Sequence, residues 1–277
     1  MGLIKSFRYW RYTRRFPDYR PQPITVKRLD AWLKQFSQQD TKAAFTLLDN
    51  ITYLSEKTVE KLLVEQNKAL VNFLRKSGIP PEKTIYVSLH DAGSSSPVML
   101  NLLRDAAGLE RTGCHLIDGN NVLGLNKLTN QLAEGAIVYV DDFSGTGQQF
   151  CKFRNFISQN IVGNFPEFFL LPCICEEALH RLGKEGIQPY IGIIHSRSQR
   201  PLHENSSILD TVTKDRLRQR SLGIHGKVGL GFSSLATMVV LYRNAPNTTP
   251  LILRGSLDQK TFVGIFPRTT DKPVPLS

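Results

Sequence analysis

No stretch of the 277-residue chain approaches the roughly 20 consecutive apolar residues of a membrane-spanning helix, so a helical membrane protein is not expected. Cysteine is scarce. Of the four present, Cys114, Cys151, Cys173 and Cys175, three sit in apolar runs where a reduced, core-filling thiol is the default. Cys173 and Cys175 have C-x-C spacing but lack the second Cys/His pair that would complete a zinc site, so no metal or disulfide framework is expected. The six histidines form no H-x-x-x-H pair. His180 lies in a helical stretch and His90, His195, His203 and His225 read as separate loop positions, which suits surface polarity better than catalysis. Neither a P-loop ending in Lys-Ser/Thr nor G-x-G-x-x-G is present, so the ordinary triphosphate and dinucleotide readings lose their main support. Internal repeats and low-complexity tracts are also missing. The opening Met1-Gly2-Leu3-Ile4-Lys5-Ser6-Phe7-Arg8 has no apolar signal core, and a cytoplasmic location without membrane attachment is the expectation. Met1-Gly2 with Ser6 does fit the short myristoylation pattern.

Acidic residues are outnumbered, 24 against 35 Lys and Arg, for a formal net charge of +11. Such a surface attracts phosphates, whether of a nucleotide, a nucleic acid or an anionic membrane, although a basic protein with no nucleic-acid role is equally compatible. Along the chain the composition suggests three segments: a basic aromatic arm (1–28), a helical region (29–80) and an α/β core with a C-terminal extension (81–277). In the arm, Arg8, Arg11, Arg14 and Arg15 alternate with Tyr9, Trp10, Tyr12, Phe16 and Tyr19. Cations that hold phosphates beside rings that stack on bases suit a nucleic acid. The competing reading is an arm whose rings pack on the body while its arginines are solvated or meet acidic side chains. From Val26 to Lys76 the apolar spacing is helical, through Leu29, Trp32, Leu33 and Phe36 and then Phe45, Leu47, Leu48, Ile51 and Leu54, up to the breaker Gly78-Ile79-Pro80-Pro81.

Beyond that breaker, short β-rich runs alternate with helical patterns, as in a parallel α/β sheet. Strands are expected at Thr84–Leu89, His115–Ile117, Gly135–Val140, Phe168–Leu171, Tyr190–Ile194 and Thr237–Tyr242. Helices are expected from Val98, Lys127, Gln148 and Glu176. The order around residue 140 is Rossmann-like.

The chemistry concentrates after the clearest strand. Val138-Tyr139-Val140 runs into Asp141-Asp142-Phe143-Ser144-Gly145-Thr146-Gly147-Gln148 and a helix. Ligands bind at strand carboxyl ends in open α/β sheets. Ser144, Gly145, Thr146, Gly147 and Gln148 stand at a helix N-terminus, where amides, the dipole and hydroxyls can surround a phosphate. Asp141 and Asp142 lie one sugar-length away, placed to accept from ribose hydroxyls or to hold a metal-bound water. The bland alternative is an Asx-type helix cap with no ligand. A second small-residue loop, His90-Asp91-Ala92-Gly93-Ser94-Ser95-Ser96-Pro97, opens a helix and suits either another phosphate or simple capping. Arg197, Arg200, Lys214, Arg216, Arg218 and Arg220 make a late basic cluster, which reads as an anion site or a solvated helix face.

The run from Val138 to Gln148 resembles the phosphoribosyl-pyrophosphate (PRPP) signature of type I phosphoribosyltransferases. Ala31-Trp32-Leu33-Lys34-Gln35-Phe36, the central Val140-Asp141-Asp142-Phe143-Ser144-Gly145-Thr146-Gly147 and Asn244-Ala245-Pro246-Asn247-Thr248-Thr249-Pro250-Leu251 together resemble the PRTase-CE type found in bacterial conflict systems. The resemblance implies a Rossmann-like parallel sheet preceded by a helical region. It also implies Asp141 and Asp142 as the catalytic pair on the ribose hydroxyls and Mg2+, reached through water, with Ser144–Gln148 on the 5-phosphate. Gly93, Ser94, Ser95 and Ser96 would take the pyrophosphate. It further implies an anti-phage effector of retron type, controlled by a reverse transcriptase, an RNA–DNA hybrid and a winged-helix protein. The alternative is a catalytically inactive nucleic-acid- or protein-binding module in a defence ribonucleoprotein, with Arg8, Arg11, Arg14 and Arg15 as contacts. Two departures bear on catalysis. Gln149 replaces the family's small hydroxyl residue, and the segment Asp118–Gly124, where the mobile catalytic loop is expected, has only Lys127 nearby as a cation.

Overall fold

The computed structural model describes residues 3–89, 95–163 and 165–269, with side chains from residue 8 onward. In chain order the elements are α1 (Leu3–Arg15), α2 (Val26–Leu33), α3 (Gln38–Asp49), β1 (Thr52–Leu54), α4 (Glu56–Lys76), β2 (Thr84–Ser88), α5 (Ser96–Ala107), β3 (His115–Asp118), α6 (Val122–Leu132) and β4 (Ala136–Val140). They continue as β5 (Phe143–Ser144), α7 (Gln148–Ser158), β6 (Glu167–Cys175), α8 (Glu176–Lys184), β7 (Gln188–His195), α9 (Thr211–His225), β8 (Val239–Leu241) and α10 (Leu251–Arg254). Two compact units result. One combines the residues up to Lys57 with those from His195 on; the other is Thr58–Ile194.

The second unit is α/β. Its sheet runs β3-β2-β4-β6, with β5 and β7 also pairing β6. The pairs β2–β3, β2–β4, β4–β6 and β5–β6 are all parallel. Every residue of β4 is buried, which explains its unbroken apolar run: both faces of such a strand are covered. Ile85, Val87, Ile137, Tyr139, Phe169 and Leu171 share a core with side chains of α6, α7 and α8. The alternate residues Tyr86 and Phe168 meet Asn67 and Phe73 of α4 instead. Chain order and strand order reverse between β2 and β4, so the switch point falls beside the strand carrying the acidic pair. At the other end of β4, a Cβ on Gly135 would lie 2.1 Å from the Lys83 carbonyl, so only glycine lets the strand enter so close to β2.

The first unit packs three N-terminal helices with the C-terminal segments. Tyr9, Tyr12, Phe16 and Tyr19 are buried in its core beside Trp32, Leu47, Ile252 and Phe266, so the rings of the arm pack on the body. Tyr12 donates to Asp49 at 2.7 Å, and the Trp32 indole donates to the Ile252 carbonyl at 2.7 Å. Arg216 of α9 meets buried Asp40 of α3 through two nitrogens at 2.7 Å. Burial pushes the Asp40 carboxyl upward, but hydrogen bonds from Arg216 and Ser37 outweigh it and hold the group below its ordinary value.

Several boundaries differ from expectation for physical reasons. The helical N-terminal region contains a strand: Thr52–Leu54 pairs in parallel with Val239–Leu241 from far along the chain. The strand expected to stop at Leu171 continues to Cys175 through Pro172. Helix α6 begins at Val122, capped by Asn121 accepting from the Gly124 amide at 2.9 Å. The segment expected to be a mobile lid is therefore a tight turn and the start of a helix. His195 ends β7 rather than lying in a loop; it is buried and accepts from the Met238 amide at 3.1 Å. His225 closes α9, and His90 lies outside the described residues.

Replacing Trp32 with Ala removes a fully buried ring and leaves the Ile252 carbonyl without its indole donor. The expected loss is about 3–5 kcal/mol, seen as a lower urea midpoint by far-UV circular dichroism. An unchanged midpoint would contradict this account of the core.

Candidate active site at the end of β4

The site begins where a ladder fails. β4 pairs β6 with Val140 opposite Leu170, and β5 resumes in the same register with Phe143 opposite Cys173. The Asp141 amide still donates to the Leu170 carbonyl at 3.2 Å. In a parallel ladder the Asp141 carbonyl should then accept from position 172, but Pro172 has no N–H to give. Asp141 and Asp142 thus leave the sheet between two paired stretches of one strand path, and their side chains are released at its carboxyl edge.

Two serines of the second loop come to the same place. Ser96, fully buried at the start of α5, accepts from the Leu89 amide at 2.5 Å and donates to the Val140 carbonyl. One hydroxyl thereby ties the ends of β2 and β4 across the switch point. Ser95 donates to the Asp141 carboxylate at 3.4 Å. Gly93 and Ser94, expected in the same loop, lie outside the described residues.

The Asp141 carboxyl also accepts from the Asp142 amide at 2.9 Å. Burial, and then the charge of Asp142, raise the Asp141 pKa well above the usual carboxylate range; the hydrogen bond from Ser95 works in the opposite direction. A half-buried acid beside another acid is a stressed arrangement that a cation or a set of hydroxyl donors would relieve.

Ser144 is buried in β5, and Gly145 leads to Thr146, whose hydroxyl accepts from the Gln148 amide at 3.3 Å. Gly147 occupies the cap position of α7 with φ +73°, and no side chain caps the helix from there. A Cβ at this position would approach Arg181 Cδ at 3.1 Å and Ala178 Cα at 3.4 Å, so both conformation and space call for glycine. Gln148 and Gln149 are exposed. Helix α7 is held against the sheet by Phe150 stacked on Phe169 at 4.0 Å and by Arg154, which donates to Glu167 at 2.7 Å. Glu167 also accepts from Tyr139 of β4 at 2.7 Å.

Sequence reasoning missed Arg181. From α8 its guanidinium donates to the Thr146 carbonyl at 2.8 Å, placing an exposed cation on the loop. In the sequence it reads as an ordinary basic residue in the last turn of a helix, complementing the dipole. No local signal would have found it.

The arm arginines belong to the other unit. Arg8 lies over the Phe45 ring at 3.6 Å and Arg14 over Trp10 at 4.3 Å, while Arg11 meets Asp49 at 3.3 Å. Arg15 donates to the carbonyls of Leu48, Asp49 and Ile51 at 2.9–3.0 Å and so caps the end of α3. Much of the late basic cluster is committed to structure too. Arg200 is buried and donates to the His195 and Leu235 carbonyls, Lys214 to those of Glu204 and Ser206, and Arg218 to that of Leu202. Arg220 lies over the Phe36 and Phe262 rings.

The sequence model of the family described as PRTase-CE matches residues 29–268, most of the chain. Comparison with curated proteins finds no match.

The raised pKa of Asp141 carries a stability signature. Because the folded state holds this proton more tightly than the unfolded chain, its contribution is fully present below the ordinary aspartate value and is lost as pH rises through the folded value. Asp141→Asn should therefore raise the melting temperature more at pH 7.5 than at pH 4.5, by scanning calorimetry of the ligand-free protein. Equal shifts at both pH values would refute the assignment.

Proposed function

Because the chain belongs to the PRTase-CE family, we propose that it is a phosphoribosyltransferase-like effector that binds PRPP or a ribose-5-phosphate nucleotide beyond β4 and acts at the anomeric carbon. The observation that carries this reading is the meeting, at the sheet's switch point, of the stressed pair Asp141–Asp142 with Ser95, directly before a glycine-capped helix. Ser144 through Gln148 surround the 5-phosphate, Arg181 adds a cation, and the loop containing Ser95 takes the pyrophosphate. Asp141 and Asp142 accept from the ribose hydroxyls and oppose the positive charge that develops at the anomeric carbon as its bond to the leaving group lengthens.

Mg2+ fits this pair. Two adjacent carboxyl groups, one of them desolvated against its preference for charge, gain from a divalent cation. Among the described residues no cluster of three or more His, Cys, Asp or Glu could hold a metal alone, so the ligand's own oxygens would complete its shell. Bound there, Mg2+ would supply neutralisation of charge on the departing pyrophosphate.

In its biological setting we place the protein in a cytoplasmic, retron-type anti-phage complex, restrained by a reverse transcriptase, an RNA–DNA hybrid and a winged-helix protein. Among the described residues no helix is long and apolar enough to cross a membrane. One observation favours the second reading, a non-catalytic binding module. Helix α1 buries Tyr9 and Tyr12 while leaving Arg8, Trp10, Arg11 and Arg14 exposed, a basic and aromatic face suited to nucleic acid.

Titration calorimetry with PRPP and Mg2+ tests the first reading. Asp141→Ala or Asp142→Ala should weaken binding by roughly tenfold to a hundredfold, since a hydrogen bond to a charged group contributes about 1.5–3 kcal/mol. No binding of PRPP or any ribose-5-phosphate nucleotide, together with undiminished toxicity of the Asp141→Ala/Asp142→Ala variant, would refute it. For the second reading, replacing Arg8, Arg11 and Arg14 with Ala should flatten the salt dependence of a gel shift, by about 0.9 in log–log slope for each duplex phosphate that α1 ceases to neutralise. An unchanged slope would remove α1 from the interface.

A further inference from the structure

The α/β unit has a cavity away from the strand carboxyl ends. It opens between α4, the start of β2 and the end of α5, with a volume of about 510 Å3. Pockets that enclose small ligands span roughly 300–1,000 Å3. Val71, Leu74, Ala107 and Leu109 give it apolar walls, and among the described residues no acidic side chain lines it.

Two buried polar side chains reach this cavity. Tyr86 donates its hydroxyl to Asn67 Oδ1 at 2.7 Å, and the two residues are 2% and 5% exposed. That bond leaves the Asn67 amide nitrogen with two protons and the Tyr86 oxygen with lone pairs, and among the described residues nothing takes up either. Both residues line the cavity, so this spare hydrogen-bonding capacity is open to a ligand there. A donor beside an acceptor on buried side chains complements the edge of a nucleobase, where a ring or carbonyl acceptor neighbours an N–H.

The rim has the opposite character. Lys68 and Arg75 line the cavity from the exposed side of α4 and have no ion pair among the described residues. Seven residues apart, they lie on one helix face about 10 Å from each other along the axis. Side chains of that length can converge on one phosphate. The carboxyl end of α5, with its partial negative charge, closes the inner wall through Ala106 and Ala107. A ligand is thus oriented with hydrogen-bond donors inward and its anion at the rim.

We infer that this cavity is a nucleotide site separate from the loop after β4, taking a nucleoside monophosphate base-first, with Asn67 and Tyr86 on the base edge and Lys68 and Arg75 on the phosphate. Such a site stands independently of the function proposed above.

The test uses the full chain carrying Asp141→Ala/Asp142→Ala, which disables the other site. AMP, GMP, CMP and UMP are titrated by calorimetry. At least one should bind, and Lys68→Glu/Arg75→Glu, both surface changes, should weaken it tenfold or more with circular dichroism unchanged. Cys114 provides a second readout, being the one cysteine not buried and lining the cavity. A saturating mononucleotide should slow its alkylation by N-ethylmaleimide several-fold, whereas ribose 5-phosphate and inorganic phosphate should not. Absence of binding by all four nucleotides, binding indifferent to the charge reversal, or equal protection by phosphate alone would overturn the proposal.

Discussion

Pro172 cannot complete the hydrogen-bond ladder between β4 and β6, and the candidate site occupies the gap that follows. A strand fully paired through residues 141 and 142 would hold both aspartates in a regular pleat, one on each face of the sheet. With the Asp141 carbonyl deprived of its donor, the backbone leaves the ladder for two residues and returns as β5. The long strand β6 stays continuous beneath the gap and fixes both of its ends. The loop is therefore held at both margins, a more exact support than a free connection between a strand and a helix would give.

Electrostatics and sterics then act on that gap. Ser96 joins β2 to β4 from below, so the edge on which Asp141 stands cannot splay. The half-buried Asp141 carboxyl lies beside Asp142, which is unfavourable for an isolated protein and favourable for one that receives a cation or hydroxyl donors. Cations elsewhere in the chain are used differently. Arg15, Arg200, Lys214 and Arg218 donate to main-chain carbonyls, and Arg216 neutralises a buried aspartate. A formal charge of +11 thus overstates what is available to ligands. The exposed cations that bear on binding are fewer: Arg181 at the loop, Lys68 and Arg75 at the second cavity, and the outer face of α1.

The legibility of the fold followed interaction range. The run 136–140 announced a buried strand because both its faces are covered. Strand β1 was not legible. Three residues carry no periodicity, and Thr52–Leu54 is extended only because Val239–Leu241 comes back to pair with it. The same holds for Pro172, which locally argues for the end of a strand and is accommodated because its partner strand has a gap opposite it. The segment after Asp118 read as a loop from its glycine and asparagines, yet Asn121 was acting as a helix cap.

For the site, the chain's own order determined the acidic pair, the glycine at the cap and the helix behind it, since strand end, turn and helix start are local features. Tertiary structure decided what local order cannot carry: that Ser95 and Ser96, some 45 residues earlier, stand against Asp141 and Val140, and that Arg181 reaches Thr146 from another helix. It also decided which of the many cations remain exposed, because whether an arginine meets a carbonyl, a ring or open solvent depends on what packs beside it.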